Sequence, residues 1–179
     1  MHLKKYIKYY FLEDYLLNEV RNNFQKRGYL TPEEFFAIVI WKRNASKTNI
    51  RKGVVKSKRT IRAITSRVFQ ARPEEKLNAL LSSKIPGIGI AIASAILTIL
   101  YPDDFTIADY HASASIKDLG KNIKGDPRTK VAVYNDYLNI CKKLAPKHSL
   151  SLRDFDRALW AKDFYEGSGG LKHLVAGLK

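Results

Sequence analysis

Apolar residues recur at helical spacing along nearly the whole chain. Phe11, Tyr15, Leu16, Val20 and Phe24 fall on one face of a helix over 9–26, which Gly28 stops. Thr31-Pro32-Glu33-Glu34 reads as a capping box with proline at the first helical position, so a helix is predicted from 32 to about 43. Residues 47–56 read as a basic loop around Gly53. Ser57 to Ala71 reads as a helix with Ile61, Ile64, Val68 and Phe69 inward, and Pro73 starts a short helix to about Ser83. After a Pro-Gly-Ile-Gly turn an apolar helix runs from Ile90 to Leu100, stopped by Pro102. Further helices are predicted over Tyr110–Leu119, over 126–144 with Asp126-Pro127 as its cap, and from Ser151 to about Tyr165. The tail from Gly167 begins Gly-rich and ends weakly apolar. No run alternates with period two, and no repeat or low-complexity linker interrupts the pattern, so the fold class is all-α.

Composition limits the alternatives. At 179 residues the chain fits one domain or two small lobes, and 45% hydrophobic residues suffice for a core. The longest apolar run, Ile85–Tyr101, falls short of the roughly 18 residues that span a bilayer and is broken by Pro86, Gly87 and Gly89. The N-terminus, MHLKKYIKYYFLEDYL, carries no signal-peptide apolar core. Cys141 is the single cysteine, which excludes an intrachain disulfide and a four-cysteine zinc or iron–sulfur site. An intracellular location (cytoplasm or nucleoid), away from membranes, is expected.

Charge adds a partner class. There are 32 Lys and Arg against 17 acids, a net +15. Between Glu34 and Glu74 there is no acid but eleven bases, from Lys42 through Lys47, Arg51, Lys52, Lys56, Lys58 and Arg59 to Arg72. Such a surface suits a polyanion. A solvated basic face is the plainer explanation, and an anionic membrane surface a weaker one, because the window lacks a long helix with aromatics on one side.

The segment from Ile85 to Asp109 carries the chemistry. Two short helices joined by Pro86-Gly87-Ile88-Gly89 make a hairpin over about 74–100. Its glycines let backbone approach an external group, and the N–H groups opening the second helix lie at the positive end of its dipole. Pro86, Gly87, Ile88, Gly89, Ile90 and Ala91 are therefore candidates for holding a DNA phosphate. An ordinary tight helix connection would use the same glycines. Asp109 follows Gly89 by 20 positions and precedes Tyr110 and His111.

These residues, Ile85-Pro86-Gly87-Ile88-Gly89 with Ala93, Leu97 and the Asp109-x-His111 pattern, resemble the helix-hairpin-helix (HhH-GPD) DNA glycosylase superfamily. That group includes endonuclease III and the oxidised-guanine and alkyladenine glycosylases. The strong motif covers about 27 residues. The resemblance implies a two-lobed helical bundle with a DNA-binding cleft. One lobe would span about 57–145 with the hairpin, and the other would combine 1–56 with 146–179. It also implies that Asp109 is the catalytic carboxylate, and that the carbonyls of Ser83, Ile85 and Ile88 hold a monovalent cation, Na+ or K+. No other cofactor and no iron–sulfur cluster is implied.

An acid suits that chemistry. Cleaving an N-glycosidic bond builds positive charge on the sugar, and a carboxylate stabilises it and orients or deprotonates water. Asp109 also suits the N-cap of the helix that starts at Tyr110, and the two roles coexist. Asp103 and Asp104 read as loop or cap residues. Bifunctional family members carry a lysine two residues after the second hairpin glycine, where this chain has Ala91. Without that amine, Schiff-base attack and strand cleavage have no evident agent. The expected activity is monofunctional base removal from double-stranded DNA with one modified or mispaired base, by a monomer; the alternative is a non-catalytic DNA-binding protein. Trp41, His111 and Trp160 are candidates for a pocket around a flipped base. Each tryptophan suits the core equally well, and Cys141 reads as inert packing.

Overall fold

The computed structural model describes residues 9–176. The first eight residues of the stretch read for a leader, and the last three of the C-terminal tail, lie outside them. All regular structure among the described residues is helical. The chain divides into two units, Met1–Tyr101 and Pro102–Lys179. The boundary follows the end of the hairpin's second helix. The grouping expected from the sequence joins 1–56 with 146–179; here the helices before the hairpin fall in one unit with it.

In the first unit, α1 (Leu12–Tyr15) and α2 (Arg21–Arg27) join through a π-helical turn, Leu16–Val20, and Gly28 closes α2 in the left-handed region at φ 80°. The expected capping box starts α3 (Pro32–Arg43): Thr31 Oγ1 accepts from Glu34 N, and Glu34 Oε2 accepts from Thr31 N at 2.8 Å. Then come α4 (Lys47–Ser57), α5 (Ile61–Gln70), α6 (Lys76–Leu81) and α7 (Ile90–Leu100). Helix α7 is buried along almost its whole length, as a helix apolar on all sides must be. Its two hydroxyls are satisfied within the helix, Thr98 donating to Ser94 O at 2.8 Å and Ser94 to Ala91 O at 3.2 Å. Helices α2, α3 and α6 pack against α7 and bury Phe24, Phe35, Ile38, Val39 and Leu80. Buried Lys76 closes the end of α5: its Nζ donates to Val68 O at 2.8 Å and Ala71 O at 2.9 Å and lies 4.4 Å from the Tyr101 ring centroid.

Three local expectations change. The segment 47–56 is a helix, not a loop, and Gly53 is buried in its middle. A Cβ there would fall 2.8 Å from Pro86 Cδ and 2.9 Å from Ile85 Cγ2, so the glycine serves close helix packing. Helix α5 begins at Ile61, because Lys58 turns left-handed at φ 54° and Thr60 is the residue that caps, accepting from Ala63 N. Phe69, expected inward on α5, is 40% exposed, although its ring edge meets Phe24.

In the second unit, α8 (Tyr110–Asp118), α9 (Val131–Leu144), α10 (Leu152–Glu166) and α11 (Leu171–Leu174) follow a short extended stretch. Helix α10 packs chiefly on α8, and buried Ser115 donates to Leu159 O at 2.7 Å. Tyr134 Oη donates to Thr106 O at 2.9 Å, tying α9 to the stretch that leads into α8. Helix α9 starts five residues later than expected. Asp126 instead closes a turn, accepting from Arg128 N at 2.8 Å and from its guanidinium. Cys141 is fully buried, and burial pushes its thiol from an ordinary 9.0 up to about 12.

Candidate functional site

The two glycines of the turn do different jobs. Gly87 adopts φ 91°, and a Cβ on it would meet Ile50 Cγ1 at 2.8 Å and Asn49 Nδ2 at 3.2 Å. Its bareness therefore admits α4. Together, Gly53 under Pro86 and Gly87 over Ile50 interlock the basic helix with the hairpin turn. Gly89 has ordinary extended φ, −93°, and its missing Cβ would point into open space. Of the turn's two glycines, only Gly89 leaves room for a close external approach.

Gly89 is also the N-cap of α7, and no side chain caps that end. Its carbonyl accepts from Ala93 N at 2.9 Å and Ile92 N at 3.1 Å, while Ile88 N is taken by Ile85 O at 3.0 Å. Helix geometry leaves the N–H groups of Ile90 and Ala91 without an intrahelical acceptor. Of the predicted set, Ile90 and Ala91 are the residues whose N–H groups helix geometry leaves open, beside the bare Gly89. Pro86, Gly87 and Ile88 shape the turn.

The basic window is divided in the same way. Helix α4 carries exposed Lys47, Arg51, Lys52 and Lys56 beside the turn. Other members are engaged within the unit. The Arg62 guanidinium lies 4.5 Å from the Tyr29 ring centroid, and Arg72 pairs with Glu75 at 2.6 Å. Arg59 Nη1 donates to Ser83 O at 3.1 Å and Ser82 O at 3.3 Å. Of the three carbonyls expected to hold a cation, Ser83 therefore accepts from a guanidinium and Ile85 from Ile88 N.

Asp109 belongs to the second unit. It is the N-cap of α8, and its Oδ1 accepts from His111 N at 2.9 Å. Arg128 lies 5.5 Å from the Tyr110 ring centroid. Its guanidinium is held charged chiefly by its hydrogen bonds to Asp126, with smaller attraction from Asp109 and Tyr110.

The residues that follow this acid, Tyr110 and His111, belong to an exposed aromatic cluster. Trp160 stacks on Phe164 with centroids 5.4 Å apart and planes within 7°. His111 meets the edge of Trp160 at 6.1 Å, and its Nδ1 lies 2.6 Å from Asp163 Oδ2. Tyr110, Trp160, Phe164 and Tyr165 are each about half exposed, at 58%, 46%, 52% and 52%. The structure thus brings two of the three pocket candidates together, His111 and Trp160. Trp41 is half-buried on α3 in the first unit. Sequence reasoning missed Asp163, Phe164 and Arg128. The first two carried a signal, since they sit three and four residues after Trp160 on one helix face. Arg128 carried none, because its position depends on the Asp126 turn.

Among the described residues no helix is long and apolar enough to cross a membrane, and no group of His, Cys, Asp and Glu is placed to hold a metal ion. No family model, curated protein or solved structure matches this chain.

Proposed function

We propose that this protein is a monofunctional DNA glycosylase of the helix-hairpin-helix (HhH-GPD) type, removing a damaged or mispaired base from duplex DNA. The observation that carries the reading is the setting of Asp109. It caps a helix within an exposed group of Tyr110, His111 and Trp160, with Phe164 stacked behind. Half-exposed stacked aromatics suit an unstacked base, and the adjoining carboxylate suits the charge that develops on its sugar. The open, uncapped start of α7 at Gly89 and the basic face of α4 support phosphate binding.

In the proposed reaction the bond between the sugar C1′ and the base nitrogen breaks, and the electron pair leaves with the base. Asp109 stabilises the cationic sugar and takes a proton from the attacking water, whose oxygen bonds to C1′. The products are a free base and an abasic site. Ala91 supplies no amine, so no covalent adduct forms and the strand stays intact.

A panel of duplexes, each with one modified base, tests this. Strand breaks should appear only after alkali, and borohydride should trap no protein–DNA adduct. Asp109→Asn should keep the helix cap, since Asn caps as well as Asp, and lose turnover by about a hundredfold or more. Unchanged turnover would remove Asp109 from the mechanism. The second reading is a non-catalytic DNA-binding protein. It is favoured by the cap bond from His111 N, which gives Asp109 a structural reason to exist. Binding without base release on any duplex of the panel would select it.

A further inference from the structure

We propose that Arg59 takes the place of a monovalent cation at the hairpin and carries its charge to a DNA phosphate diester. The inference rests on the reading of the hairpin as a phosphate-binding element. A cation held by Ser83, Ile85 and Ile88 would need carbonyl oxygens turned toward it and no positive charge in their way. The residues present do not fit that requirement. The α6 helix ends in carbonyls that have no intrahelical donor, and Arg59 Nη1 supplies one, at 3.1 Å to Ser83 O and 3.3 Å to Ser82 O. Ile85 O already accepts the turn bond from Ile88 N at 3.0 Å. A guanidinium on Ser83 repels a second cation there and makes it superfluous.

Local backbone brings Arg59 to this place. Lys58 turns left-handed at φ 54° to end α4, and Thr60 caps α5, so Arg59 lies in the short connection between them. Ser57 Oγ accepts from Arg59 N at 3.2 Å and fixes its backbone. The residue is exposed, and only one of its terminal nitrogens is used by the two carbonyls. The rest of the planar fork is available for a phosphate, which guanidinium binds with directed, charge-assisted hydrogen bonds. Unlike a bound ion, this charge is covalently tethered and independent of the salt present.

Fluorescence anisotropy of the full chain on a short DNA duplex tests the exchange. Affinity is measured in KCl, NaCl and tetramethylammonium chloride at one ionic strength; the last ion is too large for a carbonyl site. The wild-type Kd should agree within about twofold in all three. Arg59→Ala should bind about tenfold more weakly, the loss expected for one charge-assisted contact. It should also prefer KCl or NaCl over tetramethylammonium, as a small ion enters the vacated carbonyls. Wild-type binding that weakens about tenfold in tetramethylammonium would overturn the inference while leaving DNA binding intact. No binding in any of the salts would overturn the phosphate-binding reading itself. The wild-type comparison stands even if Arg59→Ala fails to fold.

Discussion

The two hairpin glycines should separate stability from DNA binding. Gly87→Ala places a Cβ 2.8 Å from Ile50 Cγ1, closer than carbon atoms tolerate, on a backbone at φ 91°. The left-handed conformation costs an alanine about 1–2 kcal/mol, and overpacking of this kind about 1–3 kcal/mol. The Ile50 side chain can give way in part, so a net loss of about 2–4 kcal/mol is expected. For a chain of this size each kcal/mol lowers Tm by about 2–4 °C. The chain should therefore melt roughly 4–16 °C lower. Gly89→Ser meets no neighbour within 4 Å and has a φ, −93°, that serine adopts freely. Its hydroxyl can accept from the first turn of α7, so stability should hold or rise by a few tenths of a kcal/mol. The same hydroxyl occupies the approach to Ile90 N and Ala91 N. DNA affinity should fall about tenfold or more, the worth of a hydrogen bond to a charged group. Circular dichroism melts and duplex anisotropy on both variants give the two readings. If Gly89→Ser binds duplex as wild type does, the phosphate does not sit at the start of α7. If Gly87→Ala melts with wild type, the interlock with α4 is not what that glycine is for.

Two further outcomes concern the second unit. Trp160→Ala should leave folding stability within about 1 kcal/mol, because the ring is 46% exposed, yet reduce the preference for a modified over a normal duplex by about tenfold, the worth of base stacking; competition binding measures it, and an unchanged preference would remove Trp160 from base recognition. Cys141 should resist Ellman's reagent at neutral pH until urea unfolds the chain, and its raised folded pKa makes the unfolded thiol ionise first, so its stabilising contribution is complete below about 9 and is lost as pH rises toward about 12. Burial pushes the Tyr134 and Tyr137 hydroxyls in the same direction, so the urea midpoint should fall steadily across that alkaline range, and a flat profile would contradict the burial of all three.

Local signals in the sequence were accurate at several helix ends set by their own residues. Thr31 with Glu34, Ser151, Asp109 and Gly28 all cap as their chemistry requires. What stayed hidden depends on side-chain partners, near or far, that helical spacing does not specify. Gly53 reads as a loop residue because glycine costs a helix interior about 1 kcal/mol relative to alanine. Only contact with Ile85 and Pro86, more than thirty residues away, makes it the residue that fits. Asp126 reads as a helix cap, and it becomes a turn residue because the Arg128 side chain folds back on it with contacts at 2.9 and 2.6 Å. The basic window was legible as charge, but not that Arg59, Arg62 and Arg72 have partners within the protein.

The division of the chain sharpens what Ala91 implies. Residues 85–109 read as one continuous device, yet Tyr101 N closes on Leu97 O at 2.7 Å, Pro102 ends the helix, and the remainder belongs to the second unit. The hairpin and α4 stand on one packed body, and Asp109, His111 and Trp160 on the other. A lysine at position 91 would place a reactive amine on the unit that carries the turn. With alanine there, every side chain assigned a part in the chemistry lies after Pro102. On the proposed reading, the first unit contributes binding energy alone, so substitutions within it should alter affinity while leaving the pH profile of base release unchanged. Substitutions at Asp109, and at His111 whose backbone N–H donates to it, should instead change base release itself.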